Sequence, residues 1–345
     1  MDQLKYSEEE LLCEHDYSAP HSEAGRRLHG GFDAEGRYIS PRMRVREPAM
    51  QAWTRALRAR GGDLLKADAS LLAGIRYPNG PQSKLLLREG LGKSLWNTLT
   101  ITGHIEARGR ILADMTFPEI QDVVVEDLSE MAVGHLGRGL LKAHGLDEGG
   151  EPEKGIGGHD EMWFALRDLA FGDVDYPEPV VPENIARPES ELERMPPISD
   201  GHARFIYFLL NLLLIEFRAE RGFAQTVELL RDPELFTERR PEAERAAEIV
   251  DRIRQDELIH VWSLRLYLGE IRRLTFPTQQ GGHINGDEVV DGFWREISHW
   301  ATVEQPALAL AQQRELARAR IAEHRDAARI EREFDALEES HYDGH

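Results

Sequence analysis

The sequence predicts an all-α protein: a four-helix bundle made of two antiparallel hairpins joined by a long crossover, with extra elements at both ends. Three observations predict it. From about residue 49 onward, Ala, Leu, Arg and Glu recur at helical spacing. Four long segments of this kind fall into two pairs, each joined by a few residues. Between the pairs, roughly 144–200, lies a connection rich in glycine and proline. Hairpin, long crossover, hairpin is one of the common ways to close such a bundle.

Residues 1–48 read as a polar N-terminal arm, in which HGGFDAEGRYISPR is a turn-rich stretch suited to a hairpin. The bundle is expected over 49–280. Its first helical segment is 86–114, and its second, 119–143, is opened by Pro118. A short helix is expected near 160–171. The stretch 172–200 carries six prolines between Tyr176 and Pro197, which argues for an extended crossover. The third segment, 201–230, contains the apolar run FIYFLLNLLLIEF. The fourth, 241–273, again begins with a proline. Residues 281–345 read as a helical extension: a Trp-bearing helix beyond 282, then a long charged helix, 305–339, suited to solvent or to packing in a homodimer. HYDGH at the end reads as a mobile tail.

Composition narrows the function. Lys plus Arg is 42 against 62 Asp plus Glu, a net charge of −20. Such a surface repels phosphate backbones and speaks against nucleic acid as a partner. A single cysteine, Cys13, excludes intrachain disulfides and thiolate metal clusters. The acidic start MDQLKYSEEELL lacks a basic-then-apolar signal pattern, and the apolar run of 13 residues is too short to span a bilayer. A cytoplasmic protein with no membrane partner is expected.

The informative residues are acids on greasy stripes. In the fourth segment Val250, Ile253, Glu257, His260, Leu264 and Tyr267 share one helix face. A carboxylate buried alone is very costly, so it needs a partner, and a metal ion is one. Glu257 and His260, at i and i+3, can hold one metal from the same face. The first segment repeats the pattern, with Glu106 amid Leu95, Leu99, Thr102, Gly109 and Ala113. In the third, Glu216 is the lone charge of the apolar run, and Glu220 follows one turn later. The competing reading pairs Glu216 with Arg218 or Arg221, and Glu220 with its flanking arginines. Glu216 and Glu257 lie equidistant from the predicted link, so they meet at one level. Glu106 mirrors about residue 117 onto 128, between Glu126 and Glu130.

The second segment is irregular. Glu126 and Glu130 share a stripe with Val123, Val133 and Leu140, but its histidine, His135, lies five residues after Glu130. A single π-bulge would bring the two closer. His104 and His159 are substitute ligands.

With these residues in place, the chain resembles the ferritin-like di-metal carboxylate superfamily, whose pattern is Glu on one helix and Glu-x-x-His on the next, given twice. The second half matches through Glu216 or Glu220 and Glu257-Leu258-Ile259-His260. QDELIH also resembles the Asp-Glu-x-x-His of soluble di-iron oxygenases that act on arylamines. In the first half Glu106 and Glu130 fit, while the Glu-x-x-His spacing is broken. The resemblance covers about 90–273. It implies two iron ions, or iron with manganese, O2 as co-substrate, a small organic substrate and an electron donor. The implied metal ligands are Glu106, Glu130, His135, Glu216, Glu257 and His260, with the metal centre carrying the chemistry. The rival readings are an iron-handling ferroxidase, a tRNA-modifying di-iron hydroxylase and a metal-free helical binding or scaffold protein.

Overall fold

The computed structural model describes residues 4–17, 19–72, 77–192 and 195–342. The last three residues of the predicted tail lie outside them. The described chain is mostly helical. The one-turn helix α1 (Glu8–Leu11) is followed by α2 (Arg46–Ala59), α3 (Gly80–Arg88), α4 (Lys93–Gly109), the one-turn α5 (Ile111–Asp114) and α6 (Leu141–Gly149). Then come α7 (His159–Phe171), α8 (Asp200–Arg231), α9 (Arg240–Ile271), α10 (Gly286–His299), α11 (Gln305–Ala322) and α12 (Ala327–Tyr342). Three two-stranded antiparallel ribbons complete it: β1 (His21–Glu23) with β2 (Arg26–Leu28), β3 (Gly31–Phe32) with β4 (Tyr38–Ile39), and β5 (Thr275–Pro277) with β6 (His283–Asn285). No helix among the described residues is long and apolar enough to cross a membrane.

α8 and α9 follow the predicted third and fourth segments closely. The link between them runs over 232–239, so positions equidistant from it meet across the pair. The predicted first segment is split in two, because Glu89–Gly92 ends α3 before α4 begins; Gly90 has φ +76°, which glycine adopts without strain. The charged helix expected over 305–339 is likewise two helices, α11 and α12, broken near Glu323–Asp326.

The predicted second segment is not a helix. Ile120–Val123 and Ala132–His135 are short 3-10 turns, Leu136–Leu140 is a π-turn, and regular helix begins only at Leu141. The apolar stripe there belongs to a chain that folds on itself. Leu128 Nα–H donates to the Gln121 side chain, and Gly139, at φ +121°, takes a backbone conformation that other residues rarely adopt. The helices that pack on α4 are therefore α6 and α7, which lie in sequence read mostly as the crossover.

α6 and α7 meet end to end. A Cβ on Gly150 would lie 2.4 Å from Gly158 N, and one on Gly158 would lie 2.6 Å from Asp147 O, so the helix ends abut across a glycine loop. β2 holds that loop: His29 N donates to Gly157 O at 2.9 Å, and Gly157 N to Arg27 O at 2.8 Å. The N-terminal arm is thus tied to the same end of the bundle.

Two apolar cores occupy α8 and α9. One holds Phe205–Phe217 of α8 and Ile259–Ile271 of α9; the other holds Phe223 and Leu230 of α8, Ala246–Ile253 of α9, and α7. Where one core passes into the other, the sequence places Glu216 and Asp256–His260. Deleting a large side chain on either side, such as Phe217 or Phe223, costs about 3–5 kcal/mol by the usual cavity term.

Candidate metal centre

Five helices deliver acids and imidazoles to one buried layer. α4 supplies Glu106. α6 supplies His144 and Glu148, one turn apart on one face. α7 opens with His159, α8 supplies Glu216, and α9 supplies Glu257 and His260. All seven are buried. Glycines let the elements approach. A Cβ on Gly109 would lie 2.6 Å from Glu148 Cγ, and one on Gly145 would lie 2.4 Å from Ala113 N.

Glu148 lies at the centre. Its Oε1 is 3.3 Å from His144 Nε2, 3.2 Å from His260 Nδ1 and 3.8 Å from His159 Nδ1. His144 Nε2 is 3.1 Å from Glu216 Oε1, and His260 Nδ1 is 2.9 Å from Glu257 Oε2. His159 Nδ1 is 3.1 Å from Glu257 Oε1 and 4.0 Å from Glu106 Oε2. The donors form two overlapping quartets, His144–Glu148–Glu216–His260 and Glu148–His159–Glu257–His260, each with its ligand atoms within 4.8 Å of one another. They share Glu148 and His260.

A second layer of carboxylates orients the rings. His260 Nε2 is 3.2 Å from Asp147 Oδ2; with the proton on Nε2, this ring donates to Asp147 and turns its Nδ1 lone pair toward Glu148 and Glu257. Asp147 is fixed in turn by Arg46 at 2.7 Å and Arg42 at 2.6 Å. His159 repeats the device: Nε2 lies 3.3 Å from Asp256 Oδ2, leaving Nδ1 for the glutamates. The Tyr38 hydroxyl donates to the same Oδ2 at 2.9 Å, and His29 Nε2 lies 3.4 Å away without hydrogen-bond geometry.

The electrostatics reflect crowding. Burial, then the charges of Glu106 and Glu257, pushes the Glu148 carboxyl well above its ordinary range. Burial, then Glu257, does the same for Glu216, and burial also raises Glu106. Burial opposes the Glu257 anion, but His260 and His159 outweigh it and hold that carboxyl well down. His144 is pushed well below the ordinary imidazole value by burial and by His260. Burial alone would lower His159, yet Asp256 and Glu257 raise it well above. Asp256 is brought to about 2 against the pull of burial, by its contacts with His159 and His29.

Within this packed layer some polar atoms have no hydrogen-bond partner: His144 Nε2, His159 Nδ1 and Glu257 Oε1. Buried polar atoms are normally satisfied, and these three point into the two quartets. Oxygen and imidazole donors of this kind suit iron and manganese. The residues present therefore fit a metal ion, which would be held by His144, Glu148, His159, Glu216, Glu257 and His260, with Glu106 at their edge.

Of the residues singled out in the sequence, Glu106, Glu216, Glu257, His260 and the substitute His159 come together here. Glu216 faces His144 and not Arg218, whose guanidinium donates to Ile185 O at 2.6 Å. Five others lie elsewhere. Glu130 is on the surface with Lys5, at 2.7 Å. His135 is a satisfied core histidine: Nδ1 lies 2.7 Å from Met131 O, Nε2 accepts from Tyr6 N at 3.2 Å, and the ring packs on Trp53. The π-turn sits just after His135, but no helix carries Glu130 toward it. Glu126 accepts from Thr275 N at 2.9 Å. Glu220 is exposed on α8, and His104 is exposed near Glu178, at 3.8 Å. Sequence reasoning missed His144, Asp147 and Glu148. Their signal is the run HGLDE, acid and imidazole at i and i+4, hidden among glycines that made the stretch read as a loop.

A cavity of about 330 Å³ reaches the layer from the side of α4 and α8, with Glu106 in its wall beside Ile105, Trp163, Ile215 and Phe223. Comparison with family models, with curated proteins and with solved structures finds no match to this chain.

Proposed function

We propose that the chain is a ferritin-like di-metal protein that holds two iron ions, or iron with manganese, and oxidises a small organic molecule with O2. The observation that carries this reading is the convergence of four glutamates and three histidines in one buried layer, with ligand-type atoms left unpaired. Four carboxylates buried side by side are strongly unfavourable unless positive charge joins them. The arginines nearest the layer, Arg42 and Arg46, are engaged by Asp147. A metal-free scaffold gives no reason to keep such a cluster.

When bound, the metal pair supplies the redox chemistry and the site that activates O2. The chain's own residues have other tasks. Asp147 and Asp256 fix the ring faces of His260 and His159, so that each presents Nδ1 inward. Glu148 and His260, common to both quartets, couple the two positions. Trp163 and Phe223 keep bulk water from the layer, and the adjoining cavity has room for an organic substrate. That cavity favours oxidation of a small molecule over iron storage, which needs only an ion path. The strong negative charge of the chain favours it over a tRNA substrate.

The test is elemental analysis of the purified protein and of Glu148→Ala and His260→Ala variants, with folding checked by circular dichroism. The expected result is about two equivalents of iron or manganese per chain, falling toward zero in both folded variants. Absence of metal from the folded wild type after anaerobic loading with ferrous iron overturns the reading. With metal in place, O2 consumption is then followed with a reductant and candidate organic substrates.

A further inference from the structure

The cavity beside Glu106 has a mostly apolar wall with a cationic patch in it. Arg218 lines it, and Arg221 follows on the same helix. Arg218 lies two residues after Glu216, about 200° round the helix, so it does not face the glutamate layer. Its Nη1 donates to Ile185 O at 2.6 Å, and its guanidinium lies 5.1 Å over the Trp300 ring. Its Nη2 is buried without a hydrogen-bond partner. Among the described residues no carboxylate forms an ion pair with it. A desolvated guanidinium held by a carbonyl and a ring, with a donor unused, lacks an anion. The remaining wall, including Ile105, Ile215, Phe223 and Thr102, suits a hydrocarbon body.

We infer that this cavity binds an organic carboxylic acid, its carboxylate on Arg218 and its apolar body extended along Ile215 and Ile105 toward Glu106. The assignment of this ligand as substrate rests on the di-metal reading; its binding does not. A carboxylate matches the site better than a phosphate ester, because Arg218 offers one unused donor nitrogen. The volume, about 330 Å³, lies at the small end of ligand pockets and sets the size of the acid.

The experiment is calorimetric titration of the full chain with octanoate and with 4-phenylbutanoate, beside their uncharged amides, with octyl phosphate as a third headgroup. It is run on protein as purified and after chelation of metal. At least one acid is expected to bind saturably at one site per chain, about tenfold or more tighter than its amide, in both preparations. In Arg218→Gln the acid should fall to the affinity of the amide, with the amide unchanged. In Ile215→Trp, which keeps the arginine and fills the cavity, both should be lost. Equal binding of acid and amide, retention of the preference in folded Arg218→Gln, tighter binding of octyl phosphate, or no saturable binding of either acid overturns the proposal. If Arg218→Gln does not fold, Ile215→Trp decides: undiminished binding there places the acid outside the cavity. Acid binding in chelated protein that carries no metal when reloaded would leave this proposal standing and remove the di-metal reading.

Discussion

The imidazoles of His144 and His260 are stacked, ring centres 3.7 Å apart with 15° between their planes. Two buried cations cannot share that geometry, so at least one ring is neutral, and His144 is the one held down. A neutral imidazole with its Nε2 unpaired between two glutamates is in the state a metal requires. His144→Ala should therefore remove about one of two metal equivalents while leaving the Glu257–His159 side occupied. Glu130→Ala and His135→Ala, taken from the predicted ligand set, should keep the full complement. Elemental analysis of the three folded variants decides, and full occupancy in His144→Ala speaks against His144 as a ligand.

Asp256 acts through His159. Asp256→Asn keeps the shape and a hydrogen bond from Tyr38 while removing the charge that orients the ring. Metal affinity should drop about 10–100-fold with the fold unchanged. Competition against a chelator of known affinity measures this, and an unchanged affinity would show that His159 is held by packing alone.

Metal loading should depend on pH with a definite sign. Glu148 and Glu216 have raised pKa values in the metal-free fold, so the stability they give is full below their ordinary value of 4.5 and is lost as pH rises through the raised values. His159 and His260, also raised, lose theirs as pH climbs past 6.5 and upward. Binding an ion removes these protons. The melting temperature of loaded protein should therefore draw away from that of metal-free protein between pH 5 and pH 8. A gap that stays constant would sink this account.

Glu270 offers a test away from the centre. It is buried at the end of α9, accepts from Val133 N at 3.0 Å, and is pushed by burial to about 7. Its stabilising contribution is full below 4.5 and disappears as pH passes 7. Glu270→Gln keeps an acceptor oxygen and removes the titration. At pH 8.5 the variant should be more stable than wild type by about 1–3 kcal/mol, with little difference at pH 5. Denaturant midpoints at the two pH values give the answer.

How much of this could be read from the chain depends on which signals stay local. α8 and α9 are long, regular and periodic, so Glu216, Glu257 and His260 stood out against their stripes, and the short link fixed their common level. Glu106 was legible for the same reason. The first hairpin failed because its periodic stretch, 119–143, is apolar for another purpose: Val133, Leu136 and Leu140 pack into the core from turns. The helix that does reach the centre, α6, is short and carries Gly145 and Gly149, residues that lower helix propensity yet permit contact with α4 and α5. His29 and Tyr38 were not legible at all, since only long-range contacts bring the N-terminal arm to Asp256.

The order of the ligand-bearing helices along the chain also sets a timetable. A chain that has emerged from the ribosome only as far as α7 has Glu106, His144, Glu148 and His159, but neither Glu216 nor the Glu257–His260 pair. Every quartet of donors needs His260, on the last long helix of the centre. An ion that arrives early finds an open, half-built set of ligands and can leave again. On the di-metal reading, occupancy would thus be a late event in biogenesis, coupled to the seating of α9.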